Sequence, residues 1–140
     1  MARYLLDTNI VIFMILGELD NFSPEVRYIL EDYSNQLYMS SVSVAELLQL
    51  YRIKKVKPKN IKNASEIVEN IENDFYIEIL PFTKEHTRTL ASLKIADGHN
   101  DPFDHSIISH AISEKMILVS SDRKFREYTP QNLNFAFNRR

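Results

Sequence analysis

Short apolar runs alternate along this chain with stretches whose apolar residues recur at helical spacing. In residues 61–73 the apolar side chains stand three or four positions apart, which is typical of a helix with one buried face. Residues 75–80 alternate and contain β-branched side chains, which indicates a strand. The patterns predict strands at residues 3–6, 36–39, 75–80, 116–119 and 132–137, the last at a sheet edge. They predict helices at residues 9–16, 24–33, 44–52, 61–73, 84–94 and 102–115, and a short helix at 125–128.

This order of elements predicts the fold class. Strands that alternate with helices form an α/β domain with a central, mostly parallel sheet flanked by helices. With 140 residues, of which 44% are hydrophobic, the chain is long enough to enclose one core. We therefore expect a single domain over residues 1–140.

Composition excludes several kinds of chemistry. The chain has no cysteine, so it has no disulfide, no thiolate nucleophile and no cysteine-ligated zinc, and this suits a reducing compartment. Only Gly17 and Gly98 are glycines, too few for a phosphate-binding loop or a dinucleotide fingerprint. The first apolar run ends at Asp7, unlike a secretion signal, and residues 10–16 are too few to span a bilayer. These features predict a soluble, cytoplasmic protein.

The net charge of −2 does not suggest nucleic-acid binding, but the charges are unevenly distributed. Residues 51–62 contain no acid and six cations: Arg52, Lys54, Lys55, Lys57, Lys59 and Lys62. Such a run is consistent with a solvated helix end and loop, and equally with contacts to a phosphate backbone. Both interpretations remain open, and Arg52, Lys54, Lys55 and Arg123 are candidate contacts to a nucleic-acid backbone.

Four acids lie where a predicted strand ends or a helix begins: Asp7, Glu46, Asp104 and Asp122. In a parallel sheet these acids would converge at the carboxyl edge, where open α/β folds bind ligands. Clustered carboxylates repel one another unless a cation or protons intervene. Mg²⁺ and Mn²⁺ prefer such an all-oxygen set of ligands. The pattern therefore predicts metal-dependent phosphodiester chemistry.

Each acid also has a purely structural interpretation. Asp7 precedes a helix and is a suitable N-cap, although Thr8 or Asn9 could cap instead. Glu46 completes a capping box with Ser43. It is also the one ionised group in an apolar stretch, where a metal would compensate its charge.

The last two acids have structural interpretations of the same kind. Asp122 fits a turn, and the preceding Ser120 could hold a carboxylate. Asp101 is the better cap, because Pro102 suits the first helical position, which leaves Asp104 to the metal and Asp101 to a supporting role. The reverse assignment of these two acids stays open.

Histidines receive less weight as ligands. His99 and His105 lie near the acids in sequence, but the chain has no metal-binding histidine motif such as His-Glu-x-x-His. His86 and His110 fall on predicted helices and are interpreted as packing or surface residues.

The four acidic motifs, in this order, resemble those of PIN-domain ribonucleases, in particular VapC-like toxins of type II toxin–antitoxin pairs. The motifs are Leu5-Leu6-Asp7-Thr8-Asn9, Ser43-Val44-Ala45-Glu46-Leu47, Asp101-Pro102-Phe103-Asp104-His105 and Ser120-Ser121-Asp122-Arg123-Lys124-Phe125. His105 stands where an arginine is common in the subgroup with the third motif. The resemblance covers the whole chain and implies a single three-layer PIN-like domain.

The resemblance implies an endoribonuclease that needs Mg²⁺ or Mn²⁺ and leaves 5′-phosphate and 3′-hydroxyl ends. Asp7, Asp104 and Asp122 would hold the metal, and Glu46 would complete the ligand set directly or through water. The resemblance also implies a homodimer inhibited by a cognate antitoxin. Helices at residues 9–16 and 24–33 carry more apolar residues than one face needs, which favours such an interface, unless residues 10–16 are simply buried in the core.

Two alternatives use the same acids differently. A haloacid-dehalogenase-like phosphatase would use Asp7 as nucleophile, but that class requires a second acid where this chain has Asn9. A phospho-receiver or other non-catalytic binding module would use the acids only to attract a basic partner. Such a module has no need for all four acids.

Overall fold

The computed structural model describes residues 2–140. Five strands form one entirely parallel sheet in the order β3-β2-β1-β4-β5. The strands are β1 (Arg3–Leu6), β2 (Gln36–Ser40), β3 (Glu78–Leu80), β4 (Ile117–Ser120) and β5 (Asn134–Phe137). In the centre, Leu5 pairs with Tyr38 on one side and with Leu118 on the other. Because every strand points the same way, all five carboxyl ends lie along one edge of the sheet.

Helices connect successive strands and cover both faces of the sheet. They are α1 (Thr8–Leu16), α2 (Pro24–Glu31), α3 (Ser41–Arg52), α4 (Ala64–Asn73), α5 (Lys84–Ser92) and α6 (Pro102–Glu114). Two 3₁₀ segments occupy Leu19–Asn21 and Arg123–Gln131. Ser23 caps α2, and the predicted cap Asp101 caps α6; both side chains accept hydrogen bonds from the first turns that follow them. Among the described residues, none of the helices has the length and hydrophobicity needed to cross a membrane.

Adjacent residues of β1 serve two separate cores. Leu6 packs with Ile10 and Val119 on one face, whereas Leu5 packs with Ile107 on the other, and all five are fully buried. Strands covered on both faces have continuous apolar runs rather than alternating ones, which explains why 3–6 and 116–119 were predictable. The predicted three-layer α/β arrangement is confirmed.

The predicted start of the third helix is wrong. The helix begins at Ser41 rather than residue 44, because the Oγ of Ser40 accepts the Val42 N–H at 3.2 Å and caps it directly after β2. Ser43 is then buried inside the helix, so the capping box of Ser43 and Glu46 does not exist. Several neighbouring serines suit a cap, and local sequence does not decide between them.

Other boundaries are shorter or longer than predicted, for local reasons. Tyr76 adopts a left-handed backbone (φ 54°), which interrupts the predicted strand at 75–80 and leaves only Glu78–Leu80 in the sheet. Asn63 caps α4, so this helix starts three residues later than predicted. The predicted short helix at 125–128 belongs to the longer 3₁₀ segment. That segment ends at Asn132 (φ 72°), so the edge strand starts at Asn134.

Candidate metal centre

Asp7 lies where β1 ends and α1 begins, and its carboxylate is almost completely buried. Its Oδ1 accepts the Thr8 N–H at 2.8 Å, so the residue does cap α1. Its Oδ2 accepts hydrogen bonds from the Ser120 hydroxyl at 2.6 Å and the Asn9 amide at 3.1 Å. Asp7 is therefore both a helix cap and a fixed carboxylate at the carboxyl edge of the sheet.

Glu46 reaches the same site from the second turn of α3. Its Oε1 accepts a hydrogen bond from the Thr8 hydroxyl at 2.5 Å, while the Thr8 amide binds Asp7. Thr8 thus links the two acids. Burial raises the pKa of Glu46, the Thr8 hydrogen bond lowers it, and repulsion from Asp101 raises it further.

Asp122 follows β4 and is joined to Asp7 through Ser120. The Ser120 Oγ accepts the Asp122 N–H at 3.0 Å while its own proton goes to Asp7. Asn9 strengthens this connection, since its Oδ1 accepts the Ser121 N–H at 3.3 Å. Of the four predicted supporting residues, Thr8, Asn9 and Ser120 therefore contact the acids directly.

Asp101 and Asp104 divide their roles at the start of α6. Asp101 is exposed and caps the helix, its Oδ1 accepting the Phe103 N–H at 2.9 Å. Asp104 lies in the first turn with its side chain only 15% exposed and its Oδ2 3.0 Å from the His99 Nε2. The structure thus places Asp104 in the cluster and Asp101 at its rim.

His99 lies beside the acids of this site, although its sequence context did not favour it as a ligand. One potential ligand atom from each of His99, Asp104 and Asp122 lies within 4.8 Å of the others. His99 sits in a loop yet is only 2% exposed. A polar residue five positions before Asp104 was the available signal, but burial in a loop has no local sequence pattern.

The four acids form an electrostatically strained cluster, which we call the acid cluster (Asp7, Glu46, Asp104 and Asp122). Burial raises the pKa of Asp7 to about 7, and repulsion by Asp104 and Glu46 adds to a shift that the Ser120 hydrogen bond opposes. Burial also raises the pKa of Asp104 to about 7, together with repulsion by Asp101, Asp122 and Glu46. A bound divalent cation would remove this strain, so the donor set fits such an ion.

Cationic residues lie at different distances from the acid cluster. Arg123 and Lys124 follow Asp122 directly, and the Arg123 guanidinium lies 5.6 Å from the centre of the Phe137 ring. In contrast, α3 starts at the carboxyl edge and runs away from it, so Arg52 lies about 9 Å of helix beyond Glu46. Lys54 and Lys55 come later still. Lys124 is the cation whose charge lowers the pKa of Asp104, whereas the Arg123 guanidinium lies over Phe137 and the segment 51–62 begins at the far end of α3.

Comparison with known proteins agrees with this architecture. The PIN domain model matches residues 4–129. The chain is similar to VapBC2 of Rickettsia felis, solved bound to a DNA fragment from its promoter, with 24% identity, a TM-score of 0.67 and coverage of 97% of this chain and 98% of the other. It is similar to the DNA-bound VapBC of Salmonella typhimurium, with 18% identity, a TM-score of 0.64 and 98% coverage of both chains.

A third similar structure is VapBC-1 of nontypeable Haemophilus influenzae, with 19% identity, a TM-score of 0.62 and coverage of 96% and 97%. None of the curated proteins has significant similarity to the chain. Because the family model spans most of the sequence, the chain belongs to the PIN domain family, as its acidic motifs predicted. Membership in this nuclease family removes the haloacid-dehalogenase alternative.

Proposed function

We propose that this protein is a Mg²⁺- or Mn²⁺-dependent endoribonuclease and the toxin of a toxin–antitoxin pair, acting in the cytoplasm. The observation that carries the proposal is the acid cluster, in which the buried carboxyl of Asp7 and the half-buried carboxyl of Asp104 have pKa values raised to about 7. PIN nucleases generally require a divalent metal, and a bound cation would favour the ionised form of such a cluster.

Each acid has a distinct part in the proposal. Asp7, Asp104 and Asp122 hold the cation, and Glu46 completes the ligand set directly or through water. The bound cation would supply positive charge for the scissile phosphate and lower the pKa of a water molecule. Thr8, Asn9 and Ser120 hold the carboxylates in place through the hydrogen bonds described above. The expected products carry 5′-phosphate and 3′-hydroxyl ends.

RNA would approach across the carboxyl edge of the sheet. Among the predicted contacts, Arg123 is the best supported by position, because it follows Asp122 directly in the sequence. Arg52, Lys54 and Lys55 remain candidates for a longer RNA that extends along α3. Substituting Arg123 with Gln should weaken RNA binding by more than the same change at Arg52, and equal losses would contradict this ranking.

The proposed protein partners are a second copy of the chain and a cognate antitoxin. Similar chains were solved as VapBC assemblies, which supports the antitoxin. The apolar residues of α1 are buried or half-buried in the core, so they do not require a partner. Tyr28 and Tyr33 are 73% and 101% exposed, so aromatic surface is exposed on α2 and just after it.

Sedimentation at micromolar concentration tests the dimer, and a Tyr33→Ser substitution should shift the protein toward monomer. A parent protein that sediments as a monomer would contradict it.

The metal-dependent activity is tested with purified protein and a mixed RNA substrate. EDTA should stop cleavage, Mg²⁺ or Mn²⁺ should restore it, and Ca²⁺ should restore it poorly because its flexible coordination orients reactants less strictly. Asp7→Asn should be inactive although folded, since asparagine is an equally good helix cap. Asp20→Asn removes a charge from an exposed acid and serves as the matched control. Cleavage that survives thorough chelation would refute the proposal.

A further inference from the structure

The buried imidazole of His99 connects the acid cluster to the 3₁₀ segment Arg123–Gln131. Its Nδ1 lies 2.7 Å from the Tyr128 hydroxyl oxygen, and its Nε2 lies 3.0 Å from Oδ2 of Asp104. Tyr128 is completely buried and His99 nearly so. The three side chains therefore form a continuous hydrogen-bonded chain that ends on a proposed metal ligand.

The direction of each hydrogen bond follows from counting protons. The Tyr128 oxygen accepts the Ala96 N–H at 3.0 Å, and a backbone amide can only donate. The hydroxyl proton is then free for the His99 Nδ1, which must accept it. The proton of the neutral imidazole therefore resides on Nε2 and is donated to Asp104. In this arrangement the Tyr128 hydroxyl and both ring nitrogens of His99 have hydrogen-bond partners.

We propose that His99, fixed by Tyr128, is a positioning residue that holds Asp104 Oδ2 and leaves the other carboxylate oxygen, Oδ1, available to a cation that the site would bind. This inference rests on the proposed function. A histidine that orients a ligating carboxylate acts like other outer-shell groups, which tune metal sites without touching the ion. It also explains why a buried histidine lies among carboxylates without having to be a ligand.

The alternative is that Nε2 of His99 ligates the metal itself. The imidazole proton would then sit on Nδ1 and point at a Tyr128 oxygen that already accepts the Ala96 amide. The hydroxyl proton of Tyr128 would lose its acceptor in a buried environment, which is unfavourable. The hydrogen bonds of Tyr128 therefore favour the positioning role of His99 over a role as metal ligand.

The surrounding loop is built to keep His99 in this orientation. The His105 Nε2 lies 2.8 Å from the His99 carbonyl oxygen, and the two rings meet edge to face at 4.7 Å. Lys94 and Gln131 exchange two hydrogen bonds, at 3.0 and 2.9 Å, that fasten the loop to the 3₁₀ segment. His105 therefore supports His99.

Nitrogen-15 NMR of the metal-free protein, with labelled histidines, tests the tautomer without any cleavage assay. The His99 ring signals are assigned by comparison with the His99→Gln spectrum, and we expect the proton on Nε2. Tyr128→Phe should disturb this tautomer, whereas Tyr38→Phe, which removes a hydroxyl bound to Gln36, should not. A proton found on Nδ1 in the parent protein would overturn the proposal.

The role in metal binding is tested with Mn²⁺ alone. Tyr128→Phe and His99→Ala should weaken Mn²⁺ binding roughly 10- to 100-fold, and His99→Gln should recover part of the loss because its amide can donate to Asp104. Electron paramagnetic resonance of the bound ion should show no coupling to labelled histidine nitrogen. Coupling that disappears in His99→Gln would make His99 a ligand and overturn the positioning role. An inactive protein that still gave the expected tautomer and Mn²⁺ affinities would refute the ribonuclease function alone.

Discussion

Two buried polar clusters in this protein differ in how their charges are compensated. The acid cluster lies at the carboxyl edge of the sheet. The histidine cluster (His86, His110, Ser40 and Glu114) lies between α5, α6 and the start of α3, and its two imidazole centres are 3.9 Å apart. Both clusters contain titratable side chains within the folded core, but only one of them gathers groups of like charge.

The histidine cluster pairs most of its polar atoms internally, although the buried Nε2 of His110 has no hydrogen-bond partner among the described residues. The His86 Nδ1 accepts the Thr83 N–H at 2.8 Å, and its Nε2 lies 2.7 Å from Glu114 Oε2, a hydrogen bond that lowers the pKa of Glu114. Burial, with repulsion from His86, lowers the pKa of His110 to about 4, so His110 is neutral at pH 7. Glu114 is the one carboxylate of this cluster, and its Oε2 is paired with His86. Burial of polar groups alone therefore does not identify a functional site, whereas buried charges of one sign do.

The largest expected contrast is in catalysis. Asp104→Asn should reduce RNA cleavage by more than roughly 100-fold, because loss of a ligand should exceed the effect of losing an outer-shell group. Glu114→Gln in the histidine cluster should leave cleavage unchanged. Initial rates with a labelled RNA would measure both. Equal loss in the two variants would remove the functional distinction between the clusters.

Metal affinity should depend on pH through the same acids. Asp7 and Asp104 have pKa values of about 7, and a ligating carboxylate must release its proton. Mn²⁺ affinity should therefore rise roughly 10- to 100-fold per pH unit between pH 5 and 6.5, for one or two displaced protons. Calorimetry in buffers of different ionisation enthalpy would count those protons. An affinity that is constant over this range would show that the acids are already ionised without metal.

The convergence of Asp7, Asp104 and Asp122 was predictable because each of these acids follows a local signal. Asp7 and Asp122 end apolar runs that only a buried strand explains, and Asp104 follows a proline that starts a helix. Parallel strands then bring these positions to one edge. Their proximity is a structural observation, while their roles in metal binding and cleavage stay predictions.

Features that depend on long-range contacts were not predictable. His99 reaches the site because it packs on Tyr128, which lies 29 residues away in sequence. The cap of α3 was misassigned because Ser40, Ser41 and Ser43 all suit an N-cap, and the end of β2 selects the first of them. Local sequence patterns predict whether a segment is a helix or a strand, but tertiary contacts determine where the segment ends and which side chains it meets.

Removing one acid should stabilise the metal-free protein at high pH. The folded-state pKa of Asp104 is raised from 3.8 to about 7, so its stability contribution is present below pH 3.8 and is lost as pH rises through 7. At pH 8 Asp104→Asn should therefore raise the free energy of unfolding, by no more than about 4 kcal/mol given a shift from 3.8 to about 7. Urea unfolding in EDTA would measure the gain, which should vanish at pH 4. A loss of stability at pH 8 would contradict the strained state of the acid cluster.

The histidine cluster should show the opposite pH dependence, with a smaller amplitude. The folded-state pKa of His110 is lowered from 6.5 to about 4, so the unfolded chain binds more protons in that interval. Acidification from pH 7 to pH 5 should cost about 2 kcal/mol of stability through this residue. His110→Gln, whose amide can still bind the Ser40 hydroxyl, should flatten that part of the profile while lowering stability at pH 7. Urea unfolding in EDTA at both pH values would measure the difference between variant and parent. Parallel profiles for the two proteins would show that His110 is not buried as a neutral group, and the two clusters would then not differ in the way their charges are compensated.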